Sequence, residues 1–226
     1  MKKVIFLLLI FIACELNAQT NLQLHYDFGR DRKFITSTVE HLSFDKYGSN
    51  FFFVDFNYKK NAPVEAYWEI ARELKFWKAP FSVHVEYNGG LNTQVQINNA
   101  WLLGGTYGWN SKDFTKGFSF SAMYKFIQGN ESPHNFQLTG VWYMHFFKGR
   151  VSFLGFADFW REVQSVSADH FVSDFRKASY IFIAEPQLWY NITKSLSVGT
   201  EVELAYNFAG VAGFNVCPTL GVKWIF

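Results

Sequence analysis

Three observations predict the fold class. Apolar and polar residues alternate in about a dozen segments of roughly ten residues each. Aromatic residues make up 20% of the chain at a mean hydropathy of only −0.03. The last alternating segment, "FNVCPTLGVKWIF", keeps its apolar phase through to Phe226. Together they predict an all-β fold, an antiparallel transmembrane β-barrel of about 12 strands with both termini periplasmic. An alternating strand shows one apolar and one polar face. In a membrane barrel the apolar face meets lipid, the polar face lines the lumen, and aromatic girdles mark the two interfaces. A soluble sandwich or lipocalin-like barrel would alternate too, without needing so many aromatics near its strand ends.

The first segment, "MKKVIFLLLIFIACELNAQ", has Lys2 and Lys3, an apolar run from Val4 to Ala13, and then small residues. That order is a secretory signal peptide over 1–18, cleaved after Ala18, with the outer-membrane barrel over 19–226. The run falls short of the ~18 uninterrupted apolar residues of a permanent membrane helix. "FIAC" at 11–14 also reads as a lipoprotein site with Cys14 lipidated, and that alternative stays open. After cleavage Cys217 is the only cysteine left, so no intrachain disulfide forms and no zinc-ligand spacing exists; no metal or cofactor is expected. A formal net charge of +2 argues against nucleic acid as a partner.

The strands are expected at 21–28, 34–43, 50–58, 65–76, 81–89, 94–106, 118–126, 136–147, 150–160, 178–190, 195–208 and 213–226. The clearest is "FSVHVEYNG", where Phe81, Val83, Val85 and Tyr87 oppose Ser82, His84, Glu86 and Asn88. In "FSFSAMYKF" Phe118, Phe120, Ala122, Tyr124 and Phe126 oppose Ser119, Ser121, Met123 and Lys125. "SLSVGTEVELAYNF" sets Leu196, Val198, Val202, Leu204 and Tyr206 against Ser197, Glu201, Glu203 and Asn207. "EAYWEIARELKFW" fits two patterns. As a helix it stripes Tyr67, Ile70, Ala71, Leu74 and Trp77; as a strand it turns Trp68, Ile70, Leu74 and Phe76 outward, with Arg72 among them. A lipid-facing Arg near mid-bilayer costs about 2–4 kcal/mol, so the strand needs a bulge or an interfacial position there. The even strand count favours the strand.

"WKAP", "FKGR" and "NITKS" read as tight periplasmic turns, whereas "REVQSVSADHFVSDFRKA" at 161–178 reads as a long extracellular connector. "WNSKDFTKG" is long for the periplasmic side. Val222, Trp224 and Phe226 resemble the C-terminal signal read by the barrel assembly machinery, which with outer-membrane lipid completes the expected macromolecular partners.

Three phrases, "NLQLHYDFG", "AYWEIARELKFWKAPFSVHVEYNGG" and "VSFLGFADFW", resemble an outer-membrane barrel family of unknown function. That family is grouped with the nucleoside-specific Tsx-like channels, and the resemblance implies a twelve-stranded barrel and a nucleoside as solute. No binding residue carries across with it.

The inward phase of the strands names the site candidates: Glu69, Glu73, Lys75, His84, Glu86, Lys125, Glu185, Glu201, Glu203 and Lys223, with Tyr67 as an aromatic face. Aromatic faces stack on planar solutes and carboxylates accept hydroxyl hydrogen bonds. The reading is a channel for small polar solutes, nucleosides among them. The alternatives are a structural or complex-forming barrel without transport, or a membrane lipid hydrolase built on His84 or His145 and a serine. No nucleophile motif accompanies those histidines, so an enzyme is not expected.

Overall fold

In the computed structural model residues 18–226 are described, apart from 31, 60, 61 and 168–174. The leader reading of residues 1–17, Cys14 included, lies outside them. Thirteen strand segments follow one another: β1 (Ala18–Asp27), β2 (Ile35–Asp45), β3 (Gly48–Lys59), β4 (Ala62–Leu74), β5 (Phe81–Asn92), β6 (Ala100–Asn110), β7 (Lys116–Ile127), β8 (His134–Phe146), β9 (Val151–Ser167), β10 (Phe175–Ala184), β11 (Gln187–Asn191), β12 (Leu196–Tyr206) and β13 (Phe214–Ile225). Both β10 and β11 lie between β9 and β12, so they are two halves of one interrupted strand. The result is an antiparallel barrel of twelve strands, closed where β1 pairs with β13 and Leu22 faces Trp224. Closure leaves no sheet edge with unpaired amides, which a wall surrounded by hydrocarbon requires.

Burial is inverted relative to a water-soluble domain. Along β1, Asn21, Gln23, His25 and Asp27 are buried, while Leu24 and Tyr26 are exposed. On β13 Lys223 is buried between exposed Val222 and Trp224. Large exposed apolar side chains recur around the barrel, among them Ile70, Val85, Leu103, Phe120, Phe136 and Leu220, although on β3 they are only half-exposed. An apolar belt of this extent would be an aggregation surface in water and is the expected face toward lipid.

The interruption at Glu185 and Pro186 has a local cause. Proline has no amide hydrogen to give to a neighbouring strand. Opposite the gap Gly155 adopts φ +156°, and a Cβ there would lie 2.4 Å from the Glu185 carbonyl oxygen. The Glu185 amide still donates to the Phe156 carbonyl at 3.0 Å, and Val202 donates to the Pro186 carbonyl at 3.1 Å. Only glycine permits this approach. Gly155→Ala should lower the stability of the folded barrel by about 1–3 kcal/mol, read as an earlier loss of the fast-migrating band when unboiled samples are heated on a denaturing gel.

Residues 62–74 form a strand, and no register shift occurs at Arg72. Arg72 faces outward close to the β2–β3 turn, where Nη2 donates to both carboxylate oxygens of Asp45 at 2.9 Å. The interfacial position, rather than a bulge, resolves its cost.

Three expected boundaries are corrected. The sixth strand starts at Ala100, not 94, because the Asn92 side chain accepts the amides of Gln94 and Val95 and turns the chain. Strands β6 and β7 run to Asn110 and from Lys116, so the two ends of "WNSKDFTKG" are strand and the turn itself shortens to 111–115. Much of 161–178 is likewise strand: Gln164 pairs with Ala178 and Ser167 with Phe175. The turns at 75–80, 147–150 and 192–195 lie at the barrel end that carries Ala18 and Phe226, whose amide donates to the Thr20 carbonyl at 3.0 Å.

Candidate functional site

Register fixes which side chains enter the barrel, because residues opposite one another across an antiparallel pair share a face. One inward row runs Glu40, Phe53, Glu69, Asn88, Ala100, Ile127 from β2 to β7. The next runs Leu42, Phe51, Ala71, Glu86, Leu102, Lys125, Asn135 from β2 to β8. On the far wall Gln187 opposes Glu201, and Glu203 opposes Cys217.

Part of this interior is packed solid. Trp189 is fully enclosed, with the Lys223 ammonium 4.2 Å from its ring centroid and the His25 ring edge-on at 5.5 Å. Gln23 donates to Asn21 and meets His25 Nε2 through its own oxygen at 3.0 Å. Lys125 is held between Gln137 Oε1, 2.7 Å away, and the Trp160 ring, 4.5 Å away.

Inward side chains on β2, β3 and β4 are only half buried, and so are Leu154, Phe156, Glu185, Gln187, Glu201 and Glu203 facing them. The remaining water-accessible space therefore lies between these two walls, and its lining is acidic and aromatic. On one side stand Glu40, Asp55, Glu65 and Glu69 with Phe51, Phe53 and Tyr67; the Phe53 and Tyr67 ring centroids are 6.0 Å apart. The Tyr67 hydroxyl donates to Glu69 at 2.7 Å. Glu69 lies near Glu86, Asp158 and Lys125, and Glu185 lies near Glu201, Glu203 and Asp55.

A hydrogen-bonded chain braces the wall at β4, β5 and β6. Glu73 accepts from the Ser82 hydroxyl, from Thr106 Oγ1 at 2.8 Å, and contacts His84 Nδ1 at 2.6 Å. His84 Nε2 then meets Glu86 Oε2 at 2.9 Å. The other oxygen, Glu86 Oε1, is buried without a hydrogen-bond partner, and so is Asn88 Oδ1 two residues along the strand. Both are acceptors, so what they lack is a donor. At the end opposite the chain termini, Arg32 reaches in from the β1–β2 loop to Asp27 at 2.8 Å and Glu203 at 2.7 Å, narrowing the mouth.

Tyr67, Glu69, Glu73, His84, Glu86, Lys125, Glu185, Glu201, Glu203 and Lys223 all face the interior. Lys75 does not, and its assignment to the lumen is corrected. β4 ends at Leu74, so the alternation stops one residue earlier; Lys75 is exposed in the turn, where its amide donates to the Tyr47 carbonyl at 2.7 Å. Sequence reasoning missed Glu40, Asp55, Asp158, Phe51 and Phe53. In "FFFVDFNY" the inward phase opens on Phe51 and Phe53 before its polar Asp55 and Asn57, which blurs the period, and Arg32 comes from a loop where no period applies. Asp158 was legible from the alternation of its own strand.

Among the described residues one serine meets a histidine: Ser152 Oγ lies 3.0 Å from His145 Nδ1. The third group, Asn191, donates to Ser152 rather than to the histidine, whose ring lies beside that of Tyr143 with centroids 5.6 Å apart. Among the described residues no group of three potential ligands could hold a metal ion.

A family model described as "Domain of unknown function (DUF5020)" matches residues 18–226. A search of curated proteins finds no match. Among solved structures the barrel resembles the NanC porin at a TM-score of 0.58 and 10% identity, covering 91% of this chain and 98% of that one. It resembles the KdgM porin at a TM-score of 0.53 and 14% identity, over 92% and 99% of the two chains. A second KdgM structure, "in complex with disordered oligogalacturonate", matches at 0.53 and 13% identity, with 92% and 99% covered. At these identities the likeness is one of fold.

Proposed function

This chain belongs to the DUF5020 family, and from that premise we propose that it is an outer-membrane channel for small polar solutes, cations being favoured over anions. The observation that carries the reading is the half-buried strip of carboxylates and aromatic rings between β2–β4 and the facing wall of β9–β12. An apolar outer belt and a wet, charged interior suit a pore wall better than a soluble core. A narrow passage with low-dielectric walls focuses the field of its charges. Oligogalacturonate, named with one KdgM structure, is a polyanion; the acidic interior here suits the opposite sign of solute, or none.

A nucleoside is neutral, so its passage would rest on stacking against Phe53 and Tyr67 and on hydroxyl donation to Glu69 and Glu201. Val222, Trp224 and Phe226 are exposed on the outer face, where the assembly machinery would read them. The pure protein in a planar bilayer should conduct, and added nucleoside should reduce the current with half-block in the millimolar range, about the affinity that permits rapid exit. Conductance without block removes the nucleoside. No conductance in any electrolyte favours the second reading, a structural barrel, for which the solid packing around Trp189, Gln23 and Lys223 is the supporting observation.

A further inference from the structure

The lysine that alternation misplaced belongs to a different feature, on the outside of the wall. Pairing of Gly48 with Leu74 brings the β2–β3 and β4–β5 turns side by side. Between them lies a groove lined by Lys46, Tyr47, Lys75, Phe76, Trp77 and Lys78. Tyr47, Phe76 and Trp77 are all exposed, with ring centroids 5.8 Å apart for Tyr47 and Phe76 and 6.3 Å for Phe76 and Trp77. The Trp77 indole is fixed by donation to the Phe81 carbonyl at 2.7 Å, and Lys46 Nζ sits 4.6 Å from the Tyr47 ring centroid. Beside the groove is Arg72. Its Nη2 is paired with Asp45, but Nη1 is buried with no acceptor. Asp45 takes only one edge of the guanidinium, so Arg72 still adds cationic character to the patch. Asp45 is the acidic group in this patch, set against Lys46, Lys75, Lys78 and Arg72.

We propose that this patch is a binding site for the phosphate of an anionic phospholipid, in the leaflet that surrounds the end of the barrel carrying the chain termini. The three rings sit at the depth of glycerol and upper acyl chain, as interfacial aromatics do. The groove lysines take the phosphate oxygens, and Arg72 adds its charge at the edge of the patch. Lipid, rather than free phosphate, is the ligand because the cations flank aromatic groups that need acyl chains to cover them. The site rests on the membrane reading above.

The test uses the full protein in neutral detergent micelles doped with brominated phosphatidylglycerol or brominated phosphatidylcholine, reading quenching of Trp77 as the difference from a Trp77→Phe variant. The wild type should favour the anionic lipid about tenfold, since each nearby cation contributes a several-fold preference. Lys75→Gln with Lys78→Gln, exposed positions that leave the wall intact, should bring the ratio near one; Arg72→Gln should lower it too. Lys194→Gln, in another turn at the same end, should leave it unchanged, and inorganic phosphate should not displace the lipid. A folded, inserted barrel without preference overturns the site alone. Equal loss in the Lys194 variant shows a diffuse field and overturns it as well, and displacement by phosphate makes it an inorganic anion site. Failure to insert into any bilayer overturns the membrane reading and the site with it.

Discussion

Leu103→Arg should cost the inserted barrel roughly 2–4 kcal/mol, the penalty for a cation on a lipid-facing wall near mid-bilayer. Leu103 is 57% exposed and pairs with Val85, itself exposed, close to the middle of β5. In a water-soluble domain a charge at such a position changes stability by about half a kcal/mol or less. The two environments therefore predict opposite outcomes for one substitution. Urea unfolding in lipid vesicles is the measurement, and a change within 0.5 kcal/mol, on the order of that surface value, would mean that this face does not meet hydrocarbon. Its neighbour Leu102, 2% exposed and on the inner face, opposes Glu86 and Lys125. Truncating Leu102 to Ala would act through packing instead, so a loss confined to that variant would point to an ordinary core.

The second large effect is on ion selectivity. Replacing Glu185 and Glu201 together by Gln should reduce the cation-to-anion permeability ratio by roughly five- to tenfold, because a change of about one kT in a focused lumen potential acts with opposite sign on the two ions. The two residues share the strip with Asp55 and Glu203. Glu201 accepts from Gln187 at 2.6 Å, a contact that glutamine can keep, so insertion and heat-resistant mobility should be unaffected. Reversal potentials across a salt gradient give the ratio. An unchanged ratio in a conducting double variant would remove these carboxylates from the permeation path.

Most of the inward set was legible because a strand's period admits no compromise: once His84 faces in, Glu86 and Asn88 must follow. The same rule failed at strand ends. Lys75 continues the pattern on paper, but Leu74 is the last paired residue, and a turn obeys no period. It failed again at "FFFVDFNY", where inward Phe51 and Phe53 differ from outward Phe52 and Val54 only through the polar Asp55 and Asn57 that follow in their phase. Pro186 was visible as a residue without an amide. What it does, splitting one strand into β10 and β11 opposite Gly155, depends on a neighbour some thirty residues away in sequence.

The sequence by itself determined the class of barrel, which face of most strands is apolar, and that the interior carries an excess of carboxylates. These follow from local alternation and composition, which pairing partners cannot alter. Only the tertiary structure decided which carboxylates share one space, that His84 bridges Glu73 and Glu86, that Arg32 folds into the mouth, and that Arg72 shelters against Asp45 beside a cationic groove. Those contacts join residues from different strands and loops. They are set by register, closure and the course of the turns, quantities that no single stretch of the chain contains.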